Sequence, residues 1–249
     1  MTVPAENPDP LPYDADIASA AALIADSTRA VILRALLPDR PLAAGELARL
    51  AGVSAATASF HLAKLLEGEL ITVIRQGRHR YYRLAGHEVA AALEALGLIS
   101  PGLPVRSLRQ SREAAALAEA RTCYDHLAGK AGVELLDGML RCGLLEEKSG
   151  RTGGGDTSSH RFEVTGAGAK ELGSFGLNLL QIRRSRRHFA GTCIDWTQRR
   201  RHLNGALGAA ITSRMFELGW IERGQRRRSV RVTPVGIEGL ASTFGVDLP

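Results

Sequence analysis

The spacing of apolar residues divides the chain into stretches of different period. From Ile17 to Leu37, Ala, Leu and Ile recur three and four residues apart, which predicts one helix stopped by Pro38. Pro41 to Leu50 reads as a second, shorter helix broken by Gly52. Ser54 is a suitable N-cap for a third, Ala55 to Glu67, with Gly68 just past its end. The period then falls to two. Leu70 to Ile74 and Arg80 to Leu84 alternate and are rich in strand formers, and the basic turn Gln76-Gly77-Arg78-His79 between them predicts a β-hairpin. His87 to Leu98 returns to a helical Ala/Leu pattern. Helix, helix, turn, helix, hairpin is the order of a winged helix-turn-helix.

The third helix can bury Ala58, Leu62 and Leu65 on one face, since they share a side at 3.6 residues per turn. The other side then carries Ala56, Phe60, Ala63 and Glu67, flanked by Thr57 and Lys64. Small residues near the helix start would allow close approach to a major groove. Thr57 and Lys64 can meet phosphate or base edges, and Phe60 could touch a thymine methyl. A basic helical module that contacts protein is the alternative.

Charge changes the picture because it is uneven. The net charge is +6 over 249 residues, yet no Lys or Arg precedes Arg29. The excess is clustered: Arg75, Arg78, Arg80 and Arg83; Arg183, Arg184, Arg186 and Arg187; Arg199, Arg200 and Arg201; Arg226, Arg227 and Arg228. Clustered guanidinium groups suit phosphate because each planar fork can donate two hydrogen bonds. A solvated basic face is the competing account of any one cluster. At the hairpin tip, Gln76, Arg78, His79 and Arg80 stand where a wing would reach DNA.

The stretch GELARLAGVSAATASFHLAKLLEGELITVIRQGRHRYYRL closely resembles the DNA-binding core of ArsR-type transcriptional regulators. The residues that carry the match are Val53-Ser54, Thr57, Ser59, His61-Leu62, Leu65, Leu70-Ile71, and the wing Gly77-Arg78 followed by Tyr81-Tyr82-Arg83-Leu84. The match covers about residues 16–98. It implies a dimeric repressor released from double-stranded DNA by an effector, and it adds Ser59 and His61 to the DNA-reading set of Ser54, Ala56, Thr57, Phe60 and Lys64. Metal-sensing members often carry a Cys-rich motif on the second helix. Here that stretch is GELARL, so that thiolate switch is absent.

Pro101 and Pro104 mark a linker, and beyond it lies an internal repeat. RTCYDHLAGKAGVELLDGMLRCGLLEE aligns with GTCIDWTQRRRHLNGALGAAITSRMFELGWIER, pairing His126 with His202, Gly129 with Gly205, Gly132 with Gly208 and Gly143 with Gly219 at a constant offset (202 − 126 = 76; 219 − 143 = 76). Each copy then has a charged turn, an alternating strand ending Val-Thr, and a short helix ending Phe-Gly. Each reads as helix, helix, hairpin, helix, another winged-helix-like unit. The whole chain resembles long ArsR-like regulators with such an extension, and the resemblance supplies no effector.

Cys123-Tyr-Asp125-His126 and Cys193-Ile-Asp195-Trp196 hold equivalent places in the two copies. Read as helical, Cys-x-x-His puts two ligands on one face. Three readings stay open. The cysteines can be small buried residues, with the aspartates capping helices or pairing with Arg121 and Arg200. They can be a thiolate redox or electrophile sensor. Or Cys123, His126 and Cys193, with His188 or His202, can form a metal or cofactor set. Only one ligand pair is close in sequence, so no strong metal motif is present and the cofactor stays unknown. The shared H-L-x-G-x-x-G reads as packing, with Gly at three spacing admitting another helix. The Gly-rich Arg151 to Asp156 is neither a Walker loop nor a dinucleotide fingerprint, and reads as a wing tip. No Ser/His/Asp order or nucleophile elbow suggests catalysis.

Apolar content of 45% and charged content of 23% are globular values. No run approaches the ~18 apolar residues of a membrane span, and the acidic, Pro-rich N-terminus is unlike a secretory signal. Three cysteines are too few for a disulfide scaffold, so a reducing, cytoplasmic setting is expected. The expected fold is mainly α with small β-hairpin wings (α+β). It comprises a tail (1–15, disordered), a winged helix-turn-helix for DNA binding and dimerisation (16–98), a linker (99–113) and two tandem winged-helix-like repeats (114–180 and 181–249). The expected function is a sequence-specific DNA-binding regulator, a repressor acting as a homodimer on a palindrome through the helices at Ile17 to Leu37 and His87 to Leu98. Its extension would respond to a small-molecule or redox effector, with Cys123, Asp125, His126, Cys193 and Asp195 as candidate residues. The alternatives are an enzyme that uses the winged helix only to dimerise, with chemistry in the extension, and a DNA-binding protein whose extension recruits a partner.

Overall fold

A computed structural model describes residues 15–102, 104–148, 161–225 and 228–248. The predicted disordered tail falls almost wholly outside these residues, and the Gly-rich Arg151 to Asp156 and the pair Arg226-Arg227 lie outside them entirely. The chain divides into two compact units, residues 1–34 with 41–83, and residues 35–40 with 84–249.

The first unit is built around α4 (Ala55–Glu67), with the bounds its sequence predicts. Ser54 is the N-cap: its hydroxyl accepts from the Thr57 amide at 3.1 Å, filling one of the donors a helix start leaves unpaired. Ala58, Leu62 and Leu65 are buried, as the 3.6-residue period requires. α3 (Ala44–Ala51) packs against it and ends on Gly52 at φ 67°, a left-handed C-cap that glycine adopts without a Cβ clash. β2 (Ile71–Gln76) and β3 (His79–Leu84) form the hairpin around the two-residue turn Gly77-Arg78, with Gly77 at φ 57°.

Two expectations change here. The long first helix is two, α1 (Ile17–Ala25) and α2 (Ser27–Leu36), because Asp26 is extended and its carboxylate accepts from the Arg29 amide at 2.8 Å, starting a new helix. The second helix begins later than expected, because Leu42–Ala43 is a short strand, β1, paired antiparallel with β3 as a third strand (order β1-β3-β2).

The second unit contains α5 (His87–Ile99), which the sequence assigned to the DNA-binding domain. Glu94 of α5 is buried and ion-paired with Arg228, a long-range contact that no local pattern reveals. α6 (Leu108–Glu119) starts inside the expected linker and crosses the expected boundary at residue 113.

The repeat is present, but its elements are not those expected. The first copy runs β4 (Arg121–Cys123), β5 (His126–Ala128), α7 (Lys130–Arg141), β6 (Leu145–Glu147), β7 (Phe162–Val164) and α8 (Gly166–Ser174). After the short α9 (Leu179–Arg183), the second runs β8 (Gly191–Ile194), β9 (Arg201–Asn204), α10 (Gly205–Glu217), β10 (Ile221–Arg223), β11 (Val230–Val232) and α11 (Pro234–Phe244). Each copy is hairpin, helix, hairpin, helix, so the Cys and His motifs lie on strands rather than on a helix. Thr165 and Thr233 perform the same task in each: the hydroxyl caps the last helix by accepting from Gly168 and Gly236, both at 3.0 Å, and donates back to Gly143 and Gly219 carbonyls at 2.6 and 2.7 Å.

The copies share one hydrophobic core, from Ala120 to Val246, with Leu136, Met139, Leu207, Ile211, Met215 and Phe244 among its least exposed members. They are interleaved. α7 packs on β9 of the other copy, and α10 packs on β5. The close strand-to-helix step within each copy explains H-L-x-G-x-x-G. Gly129 (φ 77°) and Gly205 (φ 82°) make the left-handed step from strand into helix. A Cβ on Gly132 would strike the Leu127 carbonyl and come 3.6 Å from the His202 Cβ. One on Gly208 would lie 2.7 Å from the Leu203 carbonyl oxygen and 3.4 Å from the His126 Cβ. The tight neighbour of each glycine is therefore the strand that precedes it in its own copy, with the other copy's histidine packed just beyond, and not another helix.

Candidate nucleic-acid interface and a buried cysteine–histidine cluster

On α4, Ser54, Ala56, Thr57, Ser59, Phe60 and Lys64 are all exposed. Phe60 keeps 59% of its surface open to solvent, a large apolar side chain with no place in the core. Ser59 bonds back to the Ala55 carbonyl at 2.9 Å, and Lys64 reaches Glu67 at 2.9 Å. His61 departs from the expected set: its side chain is 12% exposed and faces Asp26 at 3.5 Å, so it braces α4 rather than the outer surface. On the hairpin Gln76, Arg78, His79 and Arg80 are exposed, and no ion pair among the described residues engages Arg75, Arg78 or Arg80. Unneutralised guanidinium groups beside a capped helix with a small-residue start are what a phosphate backbone requires.

Several arginines of the second unit behave differently, although Arg184, Arg186 and Arg199 are exposed with no ion pair among the described residues. Arg187 pairs with Asp125, Arg200 with Glu134 and Asp137, Arg201 with Glu147 at 2.9 Å, and Arg228 with Glu94. Arg121 and Asp195 are both wholly buried and meet at 2.7 Å. Asp195 also accepts from the Gly129 amide at 2.6 Å and from the Thr197 amide and hydroxyl at 2.8 and 2.6 Å. Burial opposes its charge, but the Arg121 guanidinium and these donors outweigh burial and hold the carboxyl far below the usual range. Asp195 thus joins the two copies. Asp125 pairs with Arg187 and His126, not with Arg200.

The cysteine motifs meet. Register places Cys123 directly opposite His126 on β4–β5, and Cys193 directly opposite His202 on β8–β9. The two hairpins pack together, and one ligand atom from each of Cys123, His126, Cys193 and His202 lies within 4.8 Å of all the others. The imidazoles stack with centroids 5.2 Å apart and planes 26° from parallel. The Cys123 contact and the His126 ring hold the Cys193 thiol far below its usual range, against burial, while the same sulfur contact and burial push Cys123 up. Burial opposes a charge on His126, but the Asp125 hydrogen bond and the Cys193 sulfur raise it to about 9. Burial, then the His126 charge, pushes His202 down to about 3.

Sequence reasoning found three of the four and placed His202 only among alternatives. The signal was the mismatch of two offsets: the histidines differ by 76 (202 − 126), but the cysteines by 70 (193 − 123). The second hairpin has a loop six residues longer (76 − 70), which hides a cross-strand pair equivalent to the first. Elsewhere in the second unit a cavity of about 520 Å³ lies beside α6, with Ala116, Val230 and Ile237 against charged Arg112, Glu113 and Arg231. No helix among the described residues is long and apolar enough to cross a membrane.

A helix-turn-helix domain family profile matches residues 24–74. The chain is 44% identical over 221 residues to the uncharacterized HTH-type transcriptional regulator YdfF of Bacillus subtilis, covering 89% of this chain and 93% of that protein. It is 38% identical over 84 residues to the HTH-type transcriptional regulator KmtR of Mycobacterium tuberculosis, covering 33% of this chain and 64% of that one. Among solved structures, the homodimeric winged helix-turn-helix DNA-binding domain Mb0332 of Mycobacterium bovis, a possible ArsR-family regulator, is 31% identical. That match covers 33% of this chain and 76% of that one, with a TM-score of 0.31.

Proposed function

Because the chain belongs to the HTH-type transcriptional regulators, we propose that it represses transcription as a homodimer bound to a palindromic duplex site, and that its second unit carries the response to an effector. The observation that carries the reading is the pairing of an exposed α4 face with a wing whose Arg78 and Arg80 have no acidic partner among the described residues. Thr57, Phe60 and Lys64 would read or flank base edges, while Arg78 and Arg80 would hold phosphates on either side of the turn. α1 supports self-association: its sequence IASAAALIA is strongly apolar, yet none of its residues is buried within the protomer. In a pair of protomers that face would leave water, and two α4 helices would meet successive major grooves.

Selection from a randomised duplex pool, followed by anisotropy titration at several salt concentrations, tests this. The expected result is an enriched inverted repeat and an affinity that falls steeply and linearly on a log–log salt plot. A flat salt dependence with no enriched sequence refutes it and favours a module that serves only to bring other protein together.

A further inference from the structure

Four side chains with affinity for soft or borderline cations converge in the second unit. We infer that Cys123, His126, Cys193 and His202 bind one tetrahedral zinc-class cation, drawn as one cross-strand Cys/His pair from each repeat. The inference goes beyond the proposed regulator function and does not depend on it.

The ligand set comes first. Two thiols and two imidazoles form an S2N2 set, which suits zinc and its tetrahedral relatives and excludes magnesium and calcium, which require oxygen ligands. A zinc centre with its usual bond lengths needs ligand atoms roughly 3.3–3.8 Å apart. The present limit of 4.8 Å therefore asks for a contraction of about 1 Å at the widest pair, within reach of side-chain rotation. Binding requires both sulfurs as thiolates and both imidazoles neutral, so two protons leave the cluster for solvent, and two thiolates then neutralise a dication; a charge-balanced centre replaces separate polar groups in a dry interior.

The second line of support is independent of spacing. His126 is 4% exposed and His202 is wholly buried, yet His126 Nε2 and both ring nitrogens of His202 lack a hydrogen-bond partner. Buried polar atoms are nearly always satisfied, so an orphaned nitrogen on each of two stacked rings points to a missing ligand, which would take one nitrogen from each. Outer partners are also in place. The other nitrogen of His126, Nδ1, faces Asp125 at 3.2 Å, and Asp125 is anchored by Arg187, which is the carboxylate–histidine arrangement that orients a metal-binding ring. On the sulfur side, Asn204 donates Nδ2 to Cys193 Sγ at 2.9 Å while its Oδ1 meets His188 Nε2 at 2.7 Å.

The test uses the full chain, purified under reducing conditions, stripped with a chelator and reloaded with zinc or cobalt(II), in the absence of DNA. One zinc per chain is expected, with a thermal midpoint that rises with free zinc. Cobalt should give tetrahedral ligand-field absorption and a thiolate charge-transfer band. Cys193→Ser, at the less buried cysteine, should lower that band by about half, and Cys142→Ser should leave it unchanged. Circular dichroism of each stripped variant shows whether it remains folded. Because wild-type stoichiometry and the cobalt spectrum need no variant, a misfolded substitution does not decide the matter. Wild-type protein that retains neither zinc nor cobalt overturns the inference, as does a cobalt spectrum without thiolate bands. Either failure leaves the salt-dependent DNA titration unaffected.

Discussion

The wing and the extension use the same residue in opposite ways. Arg78 and Arg80 stand exposed with no carboxylate partner among the described residues, whereas Arg121, Arg187, Arg200, Arg201 and Arg228 are each tied to an acidic side chain. The chain is basic in both places, but in the extension these five guanidinium groups are neutralised, while Arg184, Arg186 and Arg199 are exposed with no ion pair among the described residues. Clusters of arginine along a sequence are therefore poor evidence of a phosphate surface until their neighbours in space are known. In the extension, Arg121, Arg200 and Arg201 pair across the two interleaved repeats.

The sharpest way to break the comparison is to leave one of the internal arginines alone. Asp195→Ala strands a fully buried guanidinium and should cost about 3–5 kcal/mol in denaturant unfolding. Replacing both partners, Arg121→Met with Asp195→Leu, should cost much less than that single change. Equal costs would mean that the carboxylate's hydrogen bonds to Gly129 and Thr197, rather than the ion pair, join the copies.

The complementary change in the wing should spare stability and weaken binding. Arg78→Ala with Arg80→Ala should reduce affinity for all duplexes alike and flatten the log–log salt slope by about 2, read by anisotropy. An unchanged slope would place those groups off the backbone.

Gly208→Ala probes the β9–α10 junction, whose strand and helix both pack on the other copy. Its Cβ would lie 2.7 Å from the Leu203 carbonyl oxygen, so the β9–α10 junction must shift, at about 1–3 kcal/mol in unfolding stability. Gly45→Ala, where a Cβ meets nothing within 4 Å, is the control and should be neutral or slightly stabilising.

The smallest effect belongs to the cap. Ser54→Ala removes the acceptor for the Thr57 amide and should cost about 1 kcal/mol in thermal or denaturant unfolding. Because the first unit is separately compact, a probe on Phe60 should report that loss more strongly than Trp220 in the second unit. Equal response at both would mean that the units unfold as one.

The sequence by itself determined the winged unit because its signals are local. A cap at Ser54, a 3.6-residue apolar stripe on α4, and an alternating hairpin around Gly77 each act over a few residues, and the structure places them as read. The break at Asp26 escaped because a helical period continues across it, and only the side-chain bond to the Arg29 amide starts a new helix. The strands at Arg121–Cys123 and His126–Ala128 escaped for another reason. Three-residue strands are too short for a period, and Ala/Gly-rich α7 and α10 beside them make the whole stretch look helical. Internal repetition did show that Cys123 and Cys193 are related. What only the tertiary structure decided is which residues meet: His202 across from Cys193 over a lengthened loop, Arg121 with Asp195, and Glu94 with Arg228. Those pairings depend on two hairpins crossing inside a shared core, and chain order carries no local record of such a crossing.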